Sequence, residues 1–308
     1  MYNRLFFLKF SFLFLCQVSL AQQTILTDSN LPIMVILTDI DPDTNLPIDI
    51  PDEPKVLATM QLIYRPDGTR NYLTDITNDT FLNYNGRIGI ELRGSSSQVL
   101  EKKPYGFTTL MEDDESNNNV NLLGMPSEND WVLNSLAYDP SMVRDYLSYT
   151  LSSNMGNYAP RVKYIEVIVN DDYKGVYILT EKIKRDSDRV NLKKIADFDN
   201  TAPEVTGGYI VKADKINGDD EVAWTMPNSG GWETNFLHHY PKTEDITGQQ
   251  ADYIENVFYD LATQTNPANT SISDGYPSII DIPSFVDYMI MAEFASNPDA
   301  YQFSTFFH

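Results

Sequence analysis

The sequence predicts an α+β fold whose strands are concentrated ahead of its helices. Three observations predict it. Between Pro32 and Leu110, apolar and polar residues alternate in short runs broken by Pro, Gly, Asn and Asp, the pattern of antiparallel strands. Val162 to Val169 and Val176 to Thr180 are apolar, β-branched runs separated by the turn-rich stretch Asn170 to Gly175. Apolar residues at helical spacing follow Asp139, Thr247 and Pro283.

The first residues carry Arg4 and Lys9, then the apolar run Phe10 to Leu15, then Ser19-Leu20-Ala21. A charged start, a short apolar core and a small-x-small site form a secretory signal peptide, residues 1–21, cut after Ala21. The expected product is exported, secreted or held at the cell surface, with no membrane span after cleavage. Its single cysteine, Cys16, lies inside that peptide, which leaves no disulfide framework, thiol nucleophile or cysteine zinc site. The chain has 44 acidic and 22 basic residues, a net charge of −22. Such a surface repels phosphate backbones and excludes nucleic acid as a partner. Any anion site must be a local basic island.

Residues 22–85 are expected to form an N-terminal β-rich annex. Pro32 to Thr38 is an apolar strand. Asp39, Asp41 and Asp43 alternate like the opening of a calcium loop, but Asn45 stands where the glycine is needed and no closing Glu follows, so a solvated turn is expected. Lys55 to Tyr64 and Thr74 to Glu91 read as strands joined by turns at Pro66-Asp67-Gly68 and Asn85-Gly86.

Residues 86–308 are expected to form the main domain. Arg87 to Leu92 is a strand, followed by Arg93-Gly94-Ser95-Ser96-Ser97 and then by Lys102-Lys103 on the returning strand. Backbone amides of a Gly/Ser turn beside paired lysines make an anion cradle; the plainer alternative is a hairpin with exposed lysines. Asp139-Pro140-Ser141 starts a helix, with Val143, Leu147 and Leu151 on its apolar face. Asn191 to Asp197 is read as helical, and Asn217 to Asn235 as a polar insertion holding Trp224 and Trp232. His238 and His239 have no partner at ligand spacing and read as structural. Helices are expected from Thr247 to Thr263 and from Pro283 to Ala295, with a break at Asn297-Pro298-Asp299 and a strand beginning near Phe303.

This order of elements parallels a protein kinase: phosphate-covering turn, strand lysine, helix, two strands, linker, lower helices, acidic loop. The motifs go further. Arg93-Gly94-Ser95-Ser96 with Lys102-Lys103-x-Tyr105 resembles the spore coat protein H (CotH) kinase family, as do Asp130-Trp131, Asn170 to Gly175 with Val176-Tyr177 and Glu181, Tyr240-Pro241-Lys242, and Asn297-x-Asp299. The likeness covers roughly residues 86–308. It implies a remote protein-kinase-like fold and an atypical protein kinase that uses ATP and Mg²⁺. By resemblance, Arg93, Ser95, Ser96 and either Lys102 or Lys103 contact phosphates, Glu181 sits near the base, and Asp299 is the catalytic acid. The implied acceptor is an extracytoplasmic protein with Ser or Thr hydroxyls, of basic character.

Two departures qualify what the resemblance implies. Ser304 stands where the kinase catalytic loop carries its metal-binding Asn, so the metal ligands become Asp299 and Ser304. The family's later Trp-Asp-x-Asp motif should follow the strand near Phe303, and the sequence given ends at His308. The expectation is therefore a C-terminally truncated chain that is inactive by itself. The competing expectation is a non-catalytic pseudokinase acting in adhesion or as a surface matrix component.

Overall fold

Alternating strands need a second layer to cover their apolar face, and this chain solves the problem by closing its sheet on itself. The structure, a computed structural model, describes residues 25–218, 220–227, 230–265 and 268–308, so the expected signal peptide lies outside the described residues. In chain order, the first strands are β1 (Asp28–Ser29), β2 (Ile33–Thr38), β3 (Val56–Ile63), β4 (Asn71–Tyr72), β5 (Leu82–Leu92), β6 (Tyr105–Leu110) and β7 (Asp130–Asn134). Helix α1 (Arg144–Asn154) precedes β8 (Val162–Val169) and β9 (Asp172–Glu181). After the linker come β10 (Ile210–Ala213), β11 (Trp224–Pro227), β12 (Glu233–Tyr240), α2 (Gly248–Gln264), α3 (Ile282–Ala295) and β13 (Thr305–Phe307).

Seven strands close a barrel in the order β2-β3-β5-β6-β7-β9-β8. The closing pair, β2 with β8, is parallel, with Ile33 opposite Glu166 and Ile36 opposite Val169. Met34, Ile36, Met60, Leu62, Ile88, Ile90, Phe107, Trp131, Leu133, Ile165, Val167, Tyr177 and Leu179 fill the interior. The alternate residues Ile33, Val35, Ile63 and Ile168 point outward and are covered by Leu73, Ile76 and Leu82. The β8–β9 hairpin turns on Asn170 and Asp171, both with positive φ (50° and 62°), the geometry a two-residue hairpin favours. Asn170 also locks the barrel seam, its side-chain oxygen accepting from the Thr38 amide at 2.9 Å.

The annex expected before residue 86 is instead part of this barrel. β2 and β3 are staves between β8 and β5, and β5 runs unbroken through Asn85-Gly86. The glycine there makes room for a ring and not for a turn. A Cβ on Gly86 would lie 2.8 Å from the Tyr84 hydroxyl, which folds over to donate to the Arg87 carbonyl. The Asp41 turn is as expected, its carboxylate accepting from the amides of Asp43 and Thr44.

The second sheet is antiparallel, in the order β11-β12-β10-β13. Trp224, Phe236, Val211 and Ala213 form its core with Ile254 and Phe258 of α2 and with Phe307. Part of the expected polar insertion is thus a β-hairpin, and its Trp224 is core. Residues 191–197 form no helix. Helix α1 starts at Arg144, later than the Asp-Pro-Ser reading, because Asp139 accepts from the amides of both Val143 and Arg144. Its packed face is Tyr146 and Tyr149, set against Leu136, Val162 and Ile178, while Val143 and Leu147 stay exposed. No helix among the described residues is long and apolar enough to cross a membrane.

Candidate functional site

Between the barrel and the second sheet lies a cleft of about 1330 Å³. Its barrel wall begins where β5 ends. Gly94 adopts φ +85°, and a Cβ there would fall 2.2 Å from the Ser97 hydroxyl, so only glycine permits the turn. Ser95 leads into a short 3₁₀ turn, Ser96–Val99. Gln98 donates to the Gly94 carbonyl and to Asp52, and the Tyr138 hydroxyl donates to the Ser96 carbonyl at 2.9 Å. The turn is therefore tied on both sides, with Arg93, Ser95 and Ser96 lining the cleft.

The expected lysines do not join them. Lys102 donates to the Val176 carbonyl and stands 4.6 Å from the Tyr177 ring centre, on the barrel wall. Lys103 donates to the Gln98 carbonyl. Neither lines the cleft, and nor does Glu181. Its carboxylate is enclosed, accepting from the Arg161 amide at 2.8 Å and guanidinium at 3.1 Å, with Arg189 at 3.3 Å. Arg189 also faces Glu128 at 3.7 Å, Glu128 pairs with Lys184, and Lys184 with Asp130. Burial opposes ionisation of Asp130, but hydrogen bonds from Lys184 and Thr108 outweigh it and hold its carboxyl down at about 2.

The lysines that do line the cleft are Lys182, Lys212 and Lys215. Lys212 is neutralised by Asp214 at 3.2 Å and Asp220 at 3.8 Å, and Lys215 lies over the Phe303 ring. Lys182 has no hydrogen-bond or ion-pair partner among the described residues, and the Arg93 guanidinium has none either. The surrounding protein lowers the pKa of both. For Lys182 desolvation is reinforced by Lys55, Lys184 and Arg93 and opposed by Asp130. For Arg93 desolvation is opposed by Tyr149, Asp214 and Glu91. Strand parity would have found Lys182: along β9, Tyr177, Leu179 and Glu181 point into the barrel, so Ile178, Thr180 and Lys182 point away from it.

The opposite wall comes from the second sheet and the end of α3. Helix α3 closes on Ser296 in the left-handed region (φ 49°), and Asn297 then accepts from the Asp299 amide at 3.1 Å. The Asp299 carbonyl accepts from Phe303 at 2.9 Å, while its carboxylate is exposed in the cleft without a protein partner among the described residues. Because β13 pairs with β10 so that Thr305 faces Ala213, Ser304 falls beside Asp214, with its hydroxyl 3.4–3.5 Å from that carboxylate. Asp214 is a cleft carboxylate the sequence reading missed. No group of three or more His, Cys, Asp or Glu gathers among the described residues. Two separate carboxylates and a hydroxyl suit Mg²⁺ that takes its remaining oxygens from substrate phosphates and water.

The cleft thus sets Arg93 and Lys182, neither with an ion-pair partner among the described residues, on one wall, and Asp214, Asp220, Asp299, the Ser304 hydroxyl and the ring-stacked Lys215 on the other. That arrangement can hold a polyanion and present an acid to its far end. Residues 90–308, beginning inside β5, match the family model described as CotH kinase protein. No curated protein matches the chain.

Proposed function

The chain belongs to the CotH kinase family, and from that premise we propose that it is an extracytoplasmic, kinase-like phosphotransferase, carrying the γ-phosphate of ATP to Ser or Thr hydroxyls of a protein. The observation that carries this reading is that Arg93 and Lys182, both without partners among the described residues, converge on one cleft with the exposed Asp299 in a chain of net charge −22. Leaving cations unpaired in so acidic a protein is unfavourable unless an anion completes them.

In this reading Arg93 and Lys182 hold the phosphates, and the amides of the Gly94 turn complete the cradle. Asp299 accepts the hydrogen bond of the acceptor hydroxyl and takes its proton as the new P–O bond forms and the β–γ bridging oxygen leaves with ADP. Asp214, Ser304 and Asp299 are the residues that would hold Mg²⁺. When bound, the ion neutralises phosphate charge. The acceptor is a hydroxyl-bearing protein segment outside the cytoplasm, consistent with the export signal read at residues 1–21.

The test is transfer of radiolabelled phosphate from ATP to a Ser-rich acceptor by the full product of the gene, with and without Mg²⁺. Transfer should require the metal and fall at least a hundredfold in Asp299→Ala. Undiminished transfer by that variant would sink the role of Asp299, and absence of transfer and of ATP binding would sink the reading.

A further inference from the structure

One carboxylate assigned above to Mg²⁺ already has a cation beside it, and the inference drawn from that rests on the nucleotide and metal reading. Along β10, Val211 and Ala213 face α2 as part of the second core, so strand parity turns Lys212 and Asp214 the other way, towards the cleft. Lys212 lies in register with Leu237 of β12 and Phe306 of β13, two apolar side chains that offer an ammonium group nothing to bond. Its acids come instead from the chain just past β10. Asp214 lies 3.2 Å from Lys212 Nζ and Asp220 lies 3.8 Å from it. A turn brings Asp220 back, its amide donating to the Asn217 carbonyl at 3.0 Å. The side chains of Lys212 and Asp214 are only 19% and 13% exposed, so water screens this pair weakly.

Shielded carboxylates need a counter-charge. Lys212 supplies it while no nucleotide is bound, and a divalent cation approaching Asp214 then meets a like charge. A polyphosphate changes the balance. It brings oxygens to the metal and negative charge to the ammonium, and a lysine head on its flexible stem can swing from carboxylate to phosphate without backbone movement.

We propose that Lys212 is a resident counter-ion of the metal carboxylates, holding Asp214 and Asp220 until nucleotide and divalent cation arrive together. Metal and nucleotide then favour each other's binding through this one side chain. The test is Mn²⁺ binding, which suits the same oxygen ligands as Mg²⁺ and is read by electron paramagnetic resonance of the free ion. Without nucleotide, Lys212→Met should bind Mn²⁺ at least about tenfold more tightly than the unaltered chain, because a cation close to two acids is gone. Lys212→Arg, which keeps the charge, should not, and adding Asp214→Asn to Lys212→Met should abolish the gain. The variant should also unfold at a lower temperature than the unaltered chain in chelator and recover with Mn²⁺. If it folds only with Mn²⁺, refolding on titration reads the same quantity, and failure to refold would count against the proposal. A gain below about tenfold, in a chain that still binds Mn²⁺-ATP, would overturn the role of Lys212 and leave the nucleotide reading in place. Failure of the unaltered chain to bind Mn²⁺-ATP would overturn both.

Discussion

Lys182 gives the sharpest test of the cleft. Replacing it with Ala removes a cation with no ion-pair or hydrogen-bond partner among the described residues, whose charged neighbours are the acids Asp130 and Glu91 and the cations Lys55, Lys184 and Arg93. Folding should hardly notice, with a change within about 0.5 kcal/mol, the range of surface substitutions away from special features. Binding of Mg²⁺-ATP should lose a charged hydrogen bond of about 1.5–3 kcal/mol, roughly a ten- to hundredfold rise in Kd. Lys102→Ala and Lys103→Ala are the counter-test. They remove bonds to the Val176 and Gln98 carbonyls, so they should lower stability by about 1 kcal/mol each and leave the nucleotide Kd unchanged. Calorimetric titration with ATP, paired with thermal unfolding, reads both quantities. Unchanged ATP affinity in Lys182→Ala, with weakened affinity in either control, would show that the phosphate path runs along the barrel wall.

Two further outcomes follow from buried charge. Glu181→Gln removes the carboxylate that Arg161 and Arg189 share while leaving Arg189 with Glu128 at 3.7 Å and Asp186 at 3.6 Å, and loss of about 1–3 kcal/mol is expected, visible as a lower urea midpoint; an unchanged midpoint would show that Glu181 is not the anchor of the cluster. His239, held by burial at about 4 against an ordinary 6.5, takes a proton more readily when unfolded, so its contribution is complete above about pH 6.5 and is lost as the pH falls towards 4. His238, also lowered by burial, adds in the same direction. Stability measured across that window should decline, and His239→Gln should flatten the decline; an equally steep profile in the variant would assign the acid sensitivity elsewhere.

Local rules made much of the fold legible. The β8–β9 hairpin follows from Asn170-Asp171, α2 from the Thr247 cap and α3 from Asp281 followed by Pro283. Barrel closure was not legible, because the pairing of β2 with β8 joins residues more than a hundred positions apart and leaves no local signature. Gly86 misled for a related reason: an Asn-Gly pair reads as a turn unless one knows that Tyr84 folds over it. In the site, Arg93, Ser95, Ser96, Asp299 and Ser304 fall in one cleft, whereas Lys102, Lys103 and Glu181 do not. The basic pair looked like a phosphate cradle because its neighbours in sequence were polar. In space Lys102 meets the Val176 carbonyl and the Tyr177 ring, which only strand pairing reveals, and Lys103 folds back onto the Gln98 carbonyl.

The placement of positive charge explains why Lys182 is available on the barrel wall of the cleft, while Lys215 on the opposite wall lies over the Phe303 ring. The linker and barrel rim carry alternating charges: Glu91 meets Lys55 at 3.8 Å, Lys55 meets Asp130 at 3.9 Å, and Lys184, Glu128, Arg189, Glu181 and Arg161 continue the series. Every cation in that series has an acid. Elsewhere Arg65, Arg70, Arg87 and Lys174 also have theirs. Lys182 is one residue past the Glu181 anchor on an extended backbone, so the parity that buries Glu181 turns Lys182 the other way, into the cleft. The enclosed Glu181 cluster therefore acts on the site without touching it. By fixing the last residue of β9 it fixes the direction of the next side chain, and it turns Lys182, whose charged form burial disfavours, towards the cleft where a bound anion would stabilise it.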